Sequence, residues 1–182
     1  MKRKLLAIAL AVVMAVSLLF PAVALAADPT VTITVSAVVV SITNTEDTWD
    51  IGPVLVDAVV YFSATGAQDD DYSQIENTGN VSVDIEIQGT TADDEFGAEY
   101  DWTLSADGTG GVETYGLLAN SEGAPTVYDI PIKPSSYVDL TTDLTATDTY
   151  DWSVKFTAPS SFDVADAGGD KTATITLVAS QH

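Results

Sequence analysis

The 182-residue sequence contains no cysteine and a single histidine, His182, at its last position. No disulfide can staple the fold, thiol catalysis is excluded, and a His-rich transition-metal site or a Ser–His–Asp triad cannot be built. Arginine occurs only at position 3, so no guanidinium follows it to clamp a phosphate or a carboxylate. The sequence holds no G-x-S-x-G elbow, P-loop or G-x-G-x-x-G fingerprint. Positive charge is scarce as well. Past the first four residues only Lys133, Lys155 and Lys171 oppose 27 acidic residues, a net of −24. Such a surface repels nucleic acid and anionic lipid. It suits a soluble secreted coat, a calcium-rich or saline exterior, or a cationic partner.

What is present begins with an export signal. Lys2-Arg3-Lys4 is a basic n-region, Leu5 to Phe20 is apolar except for Ser17, Pro21 breaks the helix, and Ala24-Leu25-Ala26 is a small-x-small cleavage pattern. Together they read as a secretory signal peptide over residues 1–26, followed by one domain over 27–182. The rival reading is a retained anchor, since residues 5–27 are long enough to span a bilayer; Pro21 and the cleavage pattern favour removal. The expected location is therefore extracellular, secreted or at the cell surface, with no membrane contact after cleavage.

Beyond residue 30, Thr, Val and Ile alternate and helical periodicity is absent. Thr30 to Ile42 places Val31, Ile33 and Val35 on one face and Val38, Val40 and Ile42 on the opposite parity, which requires a bulge or a sheet crossing near Ala37. Val54 to Ala64, apolar on both faces apart from Asp57 and Ser63, suits a central strand. In VSVDIEI, Val81, Val83, Ile85 and Ile87 point inward while Ser82, Asp84 and Glu86 meet water. Further strands are expected over Glu99 to Leu104, Thr126 to Ile132, Thr149 to Phe156 and Lys171 to Ala179, and Val112 to Leu118 has room for a short helical turn. The repeat Tyr-Asp-Trp at 100–102 and 150–152 places an indole in the core from each of two sheets. About 7–9 strands separated by Gly, Asp, Asn and Pro clusters predict an all-β antiparallel sandwich.

Two chemistries fit the acidic residues. Calcium takes six to eight oxygens, and the candidate ligands are Asp69, Asp70 and Asp71, then Asp93, Asp94 and Glu95, then Asp163, Asp166 and Asp170. EF-hand spacing is missing from all three groups, and solvated loop charge is the plainer reading. A glycoside hydrolase needs only two carboxylates about 5–10 Å apart, yet no acid lies in an apolar setting that would raise its pKa. The expectation is therefore no enzyme, with Ca²⁺ as the one candidate cofactor. Asn80-Val81-Ser82 is the single N-x-S/T sequon.

TWDIGPV (Thr48 to Val54), a strand, and IENTGNVSVDIEI (Ile75 to Ile87) together resemble immunoglobulin-like modules of the abnormal-spindle/hydin type, over about 40 residues. The resemblance implies an immunoglobulin-like sandwich, a binding or scaffolding role and no catalytic residues. Trp102-Thr103-Leu104 and Trp152-Ser153-Val154, with the terminal TATITLVAS, are loosely similar to W-x-L cell-wall-binding domains. The exported, Cys-free plan is similar in architecture to camelysin/TasA-type biofilm fibre subunits.

The function expected is a non-enzymatic structural or surface protein that self-assembles into, or joins, envelope or fibre components. Val31, Ile33 and Val35 would form its assembly strand by pairing with a neighbour, unless that strand pairs within its own sandwich. The alternative is a polysaccharide- or cell-wall-binding module using Tyr61, Tyr72, Tyr115 and Tyr137 as exposed aromatics. A two-carboxylate hydrolase is the remote third.

Overall fold

Alternation of apolar and polar side chains dictates strands that bury one face, and a computed structural model, which describes residues 34–46, 48–62, 72–121, 127–162 and 169–182, contains such strands. The chain is all-β. Among the described residues thirteen strands run β1 (Ile42–Asn44), β2 (Val59–Tyr61), β3 (Ser73–Asn77), β4 (Val83–Gly89), β5 (Asp93–Asp94), β6 (Thr103–Leu104), β7 (Thr114–Asn120), β8 (Tyr128–Pro131), β9 (Val138–Leu144), β10 (Thr149–Trp152), β11 (Val154–Thr157), β12 (Lys171–Thr172) and β13 (Ile175–Gln181). Among the described residues the only helical element is a 3-10 turn, Ala98–Tyr100. None is long and apolar enough to cross a membrane; the apolar segment 5–27 and the cleavage site lie outside the described residues.

Residues 37–182 form one unit. Its sheets are β1-β3-β10, β2-β11-β7 with β6 and β8 along the far edge of β7, β13-β4-β9, and the pair β12-β5. Among the described residues all strand pairings are antiparallel except β6 with β7, and one isolated bridge, Val112 with Ser161, is also parallel. The inner faces share a single apolar core, including Ile75, Ile85, Ile87, Trp102, Tyr115 and Phe156. β4 shows why the layers form: Val83, Ile85, Ile87 and Gly89 are buried while the residues between them are half exposed, as the pleat requires when one face meets the core. Gly89 ends that row because a Cβ there would lie 2.6 Å from Leu104 Cδ2.

The expected strands are cut more finely than the pattern suggests. The run 149–156 keeps its parity, with Trp152, Val154 and Phe156 all buried, yet it changes sheets at Ser153. There the backbone turns to Asn120, whose Oδ1 accepts from Ser153 N at 2.5 Å. A strand that switches sheets makes the corner of a sandwich. The span expected as a central strand over 54–64 is described only to Phe62, and up to there it is not one: residues 55–58 form a turn with Asp57 at φ 56°, and the three-residue β2 is the outermost strand of its sheet among the described residues. Residues 112–118 hold no helical turn, because Thr114 to Asn120 pair with β11, β6 and β8. The segment 34–41 has no strand and no bulge at Ala37; its ladder begins at Ile42. Both repeat tryptophans are buried, Trp152 at the end of β10 and Trp102 in an isolated bridge with Ala92.

The TWDIG stretch is a turn. Asp50 Oδ1 accepts from Gly52 N at 2.9 Å, Gly52 takes φ 68°, and Trp49 packs edge-on to Phe62 at 5.6 Å. At the last residue, His182 Nδ1 lies 2.7 Å from Asp84 Oδ1. Asp84 raises the imidazole above its ordinary 6.5, chiefly through that hydrogen bond. The carboxyl itself is lowered, first by the Asp143 N–H and then by His182. The histidine contribution to stability is full below its unfolded pKa and lost as pH rises through the elevated folded value. The Asp84 contribution is present above about 3.8 and lost as pH falls through its depressed value. An NMR titration of His182 is expected to give a pKa above 6.5 that Asp84→Asn brings down; a pKa indifferent to the substitution contradicts the pairing.

Candidate functional site

The polar run Asn77-Thr78-Gly79-Asn80 links β3 to β4, and its backbone and side chains turn outward to a second segment of chain. Thr78 N and Gly79 N donate to Ser41 O at 2.9 and 3.1 Å, and Asn80 N donates to Val39 O at 3.0 Å. The Asn80 amide uses both of its atoms: Oδ1 accepts from Val39 N at 2.8 Å and Nδ2 donates to Ala37 O at 2.7 Å. Residues 37–41 are thus strapped across the turn mainly by their main-chain polar groups, with one side-chain contact, the Thr78 hydroxyl donating to Ser41 Oγ at 3.0 Å. Gly79 is needed for space. A Cβ there would lie 2.3 Å from Val39 O, and Gly79 carries no positive φ. The turn therefore uses glycine for close approach, not for the left-handed conformation that N-T-G-N suggests. Because Asn80 Nδ2 is committed to Ala37, a glycan on this sequon would displace the strap.

Beneath the turn, Asn77 is fully buried. Its Nδ2 donates to Val81 O at 2.9 Å and to Leu144 O at 2.8 Å, and its Oδ1 accepts from Gly79 N at 3.0 Å. The turn is thereby fastened to β9. A few residues on, Asn44 Oδ1 accepts from Ser73 Oγ at 2.8 Å and from Trp152 Nε1 at 2.9 Å, which ties β1 to the sheet it edges.

The strap side chains face water. Val35, Val38, Val39 and Val40 are 85, 57, 48 and 38% exposed, and no residue from 34 to 40 is buried. A run TVSAVVV without charge or proline, apolar and of high β-propensity, is the kind of segment that pairs with another chain when left uncovered. β1, which continues it, is paired on one side only among the described residues.

The other expected site residues fare differently. Val31 and Ile33 lie outside the described residues, and Val35 is exposed but belongs to no strand. Asp69, Asp70, Asp71, Asp163 and Asp166 also lie outside them, while Asp170 is exposed. Asp94 is buried and engages Lys171. Among the described residues no three carboxylate or imidazole groups come together to hold a metal ion. Tyr115 is not a surface aromatic: it is buried, its hydroxyl donates to Thr90 O at 2.5 Å, and burial pushes its pKa up. Tyr61, Tyr72 and Tyr137 are exposed, and Tyr61 packs against Tyr128 at 5.2 Å. The Asn80 clamp was not anticipated; the sequon and the turn were visible, but their partners 41 and 43 residues upstream were not.

No protein-family model matches the chain, and no curated protein matches it.

Proposed function

We propose that this is a secreted, non-catalytic structural module that assembles with copies of itself by strand addition through the valine strap. The observation that supports the reading is the exposed, uncharged row Val38, Val39 and Val40, in a segment whose main chain is held at the Asn77–Asn80 turn through Ala37, Val39 and Ser41. The segment carries a backbone able to pair and apolar side chains able to bury against a neighbour. The occupant is a second copy of this chain. The three valines from 38 to 40 would lose their water only in the assembly, which supplies a driving force of about 25 cal/mol per Å² of apolar surface covered.

Charge sets the conditions. A domain of net −24 repels its own copies, so assembly is expected to be weak at low ionic strength and to strengthen as salt shortens the Debye length to about 8 Å. The test is sedimentation and electron microscopy of the chain lacking residues 1–26. Polymers are expected at physiological salt. They should disappear in the triple variant Val38→Ser, Val39→Ser, Val40→Ser, which keeps the charge, while the melting temperature stays within a few degrees because these side chains are exposed. A wild-type chain that stays monomeric at high concentration and high salt, or a triple variant that polymerises equally, overturns the reading. Calcium enters only as a cation that screens this surface. A specific site requires Ca²⁺ to raise the melting temperature where Mg²⁺ at equal ionic strength does not.

A further inference from the structure

The β4–β13 ladder runs on, past a one-residue shift, into β5–β12, where Lys171 stands directly opposite Asp94. The Lys171 ammonium is in contact with Asp94 Oδ2, and the two side chains are only 9 and 1% exposed. Among the described residues this is the one lysine–carboxylate ion pair. Its surroundings are built. Lys171 Nζ lies 5.5 Å from the Trp102 ring centroid, and Trp102 stacks on Phe162 at 5.5 Å. Gly169 closes over the carboxyl so tightly that a Cβ there would meet Asp94 Oδ2 at 2.4 Å and Cγ at 2.8 Å. Asp94 Oδ1 accepts from Phe96 N at 2.6 Å, and Asp94 N donates to Asp101 Oδ1 at 2.8 Å, so the carboxyl is fixed in one orientation.

We propose that Lys171 Nζ and Asp94 Cγ condense to an intramolecular amide, a covalent clip between β5 and β12. The step balances without a co-reactant and is redox-neutral. The ammonium passes one proton to the carboxylate within the contact, leaving a neutral amine and a carboxylic acid. The amine lone pair attacks Cγ, and negative charge develops on Oδ1, where the Phe96 N–H already points and acts as an oxyanion donor. The Cγ–Oδ2 bond then breaks. Oδ2 leaves as water with the proton it received and one lost from nitrogen.

Two physical terms favour the product. Burying an ammonium and a carboxylate is costly even when they are paired, and the amide removes both charges and releases a water. The strand register holds nucleophile and electrophile together, replacing a bimolecular encounter by a fixed contact. Opposing them, Lys171 and the Phe96 N–H hold the Asp94 carboxyl below its usual range, so the neutral pair is a minor species. A slow reaction suffices, because it happens once per molecule. In a chain without cysteine the bond would close a loop of 77 residues, as a disulfide otherwise would.

The test is the intact mass of the purified, denatured chain lacking residues 1–26, followed by digestion. The expected mass is one water below the sequence mass. Trypsin is expected to cut after Lys155 but not after Lys171, while Lys133 is shielded by Pro134 in any case, so that a branched species joins 27–155 to 156–182 through Asp94 and Lys171. Lys171→Met and Asp94→Ala should each restore the full mass, a readout that does not depend on the variant folding. A wild-type mass equal to the sequence mass after prolonged incubation of the folded protein overturns the proposal. So does a water loss that persists in Lys171→Met, which would place it at a succinimide such as Asp107-Gly108.

Discussion

Ile85→Ala is expected to lower the stability of the domain by about 2–5 kcal/mol, the cost of a large-to-small change where the surroundings cannot collapse into the space. Ile85 is completely buried at the centre of β4, which is flanked by β13 on one side and β9 on the other. Its neighbours across the ladders, Ala179 and Thr141, are too short to fill the void. The comparison that gives the number meaning is Val59→Ala. Val59 lies in β2, at the edge of its sheet among the described residues and exposed, and its loss should cost no more than about 0.5 kcal/mol. Urea unfolding of both variants checks this, through the midpoint at unchanged slope. Equal losses would return β2 to the central position that its apolar sequence suggests.

Asn77→Ala is expected to cost about 2–4 kcal/mol, for a different reason. The side chain is fully buried, and three hydrogen bonds end on its amide. Alanine leaves the Leu144 carbonyl buried without the partner it had, and each polar group so stranded costs about 1–3 kcal/mol. Asn77→Asp should be no better despite its shape, since a carboxylate cannot donate to the two carbonyls of Val81 and Leu144. Both variants should also loosen the turn that carries the strap, seen as faster hydrogen exchange at Val39 N–H. Denaturant unfolding together with exchange separates this from a plain core defect, because Ile85→Ala should leave Val39 protected relative to the new global stability. An Asn77→Ala variant as stable as the wild type would show that the amide network contributes little.

Much of the fold was readable because strand alternation is local. In VSVDIEI each side chain declares its face, and Val83, Ile85 and Ile87 are buried as that rhythm requires. Trp102 and Trp152 fall in phase with Leu104 and Val154, and all four are buried. The same rhythm misled where a strand needed a partner that it did not have. Residues 34–41 carry strand-forming side chains, yet they meet a turn rather than a ladder. Residues 54–58 are apolar but bend at Asp57. At Ser153 the parity continues unbroken while the sheet changes, because burial on either side of the corner looks the same from the chain. Gly79 was legible as a turn glycine, but the approach of Val39 O that makes it necessary was not.

By itself the sequence determined the class: an acidic, cysteine-free chain of alternating β-branched residues must bury one face of its strands and leave most of its carboxylates in water. Only the tertiary structure decided which strands pair, that Asn80 grips Val39 and Ala37, and that Asp94 stands against Lys171. The physical reason is range. Which way a side chain points is fixed by its two neighbours along the pleat. Which backbone or charge it meets is fixed by residues 43 or 77 positions away, whose register emerges only when the whole core closes.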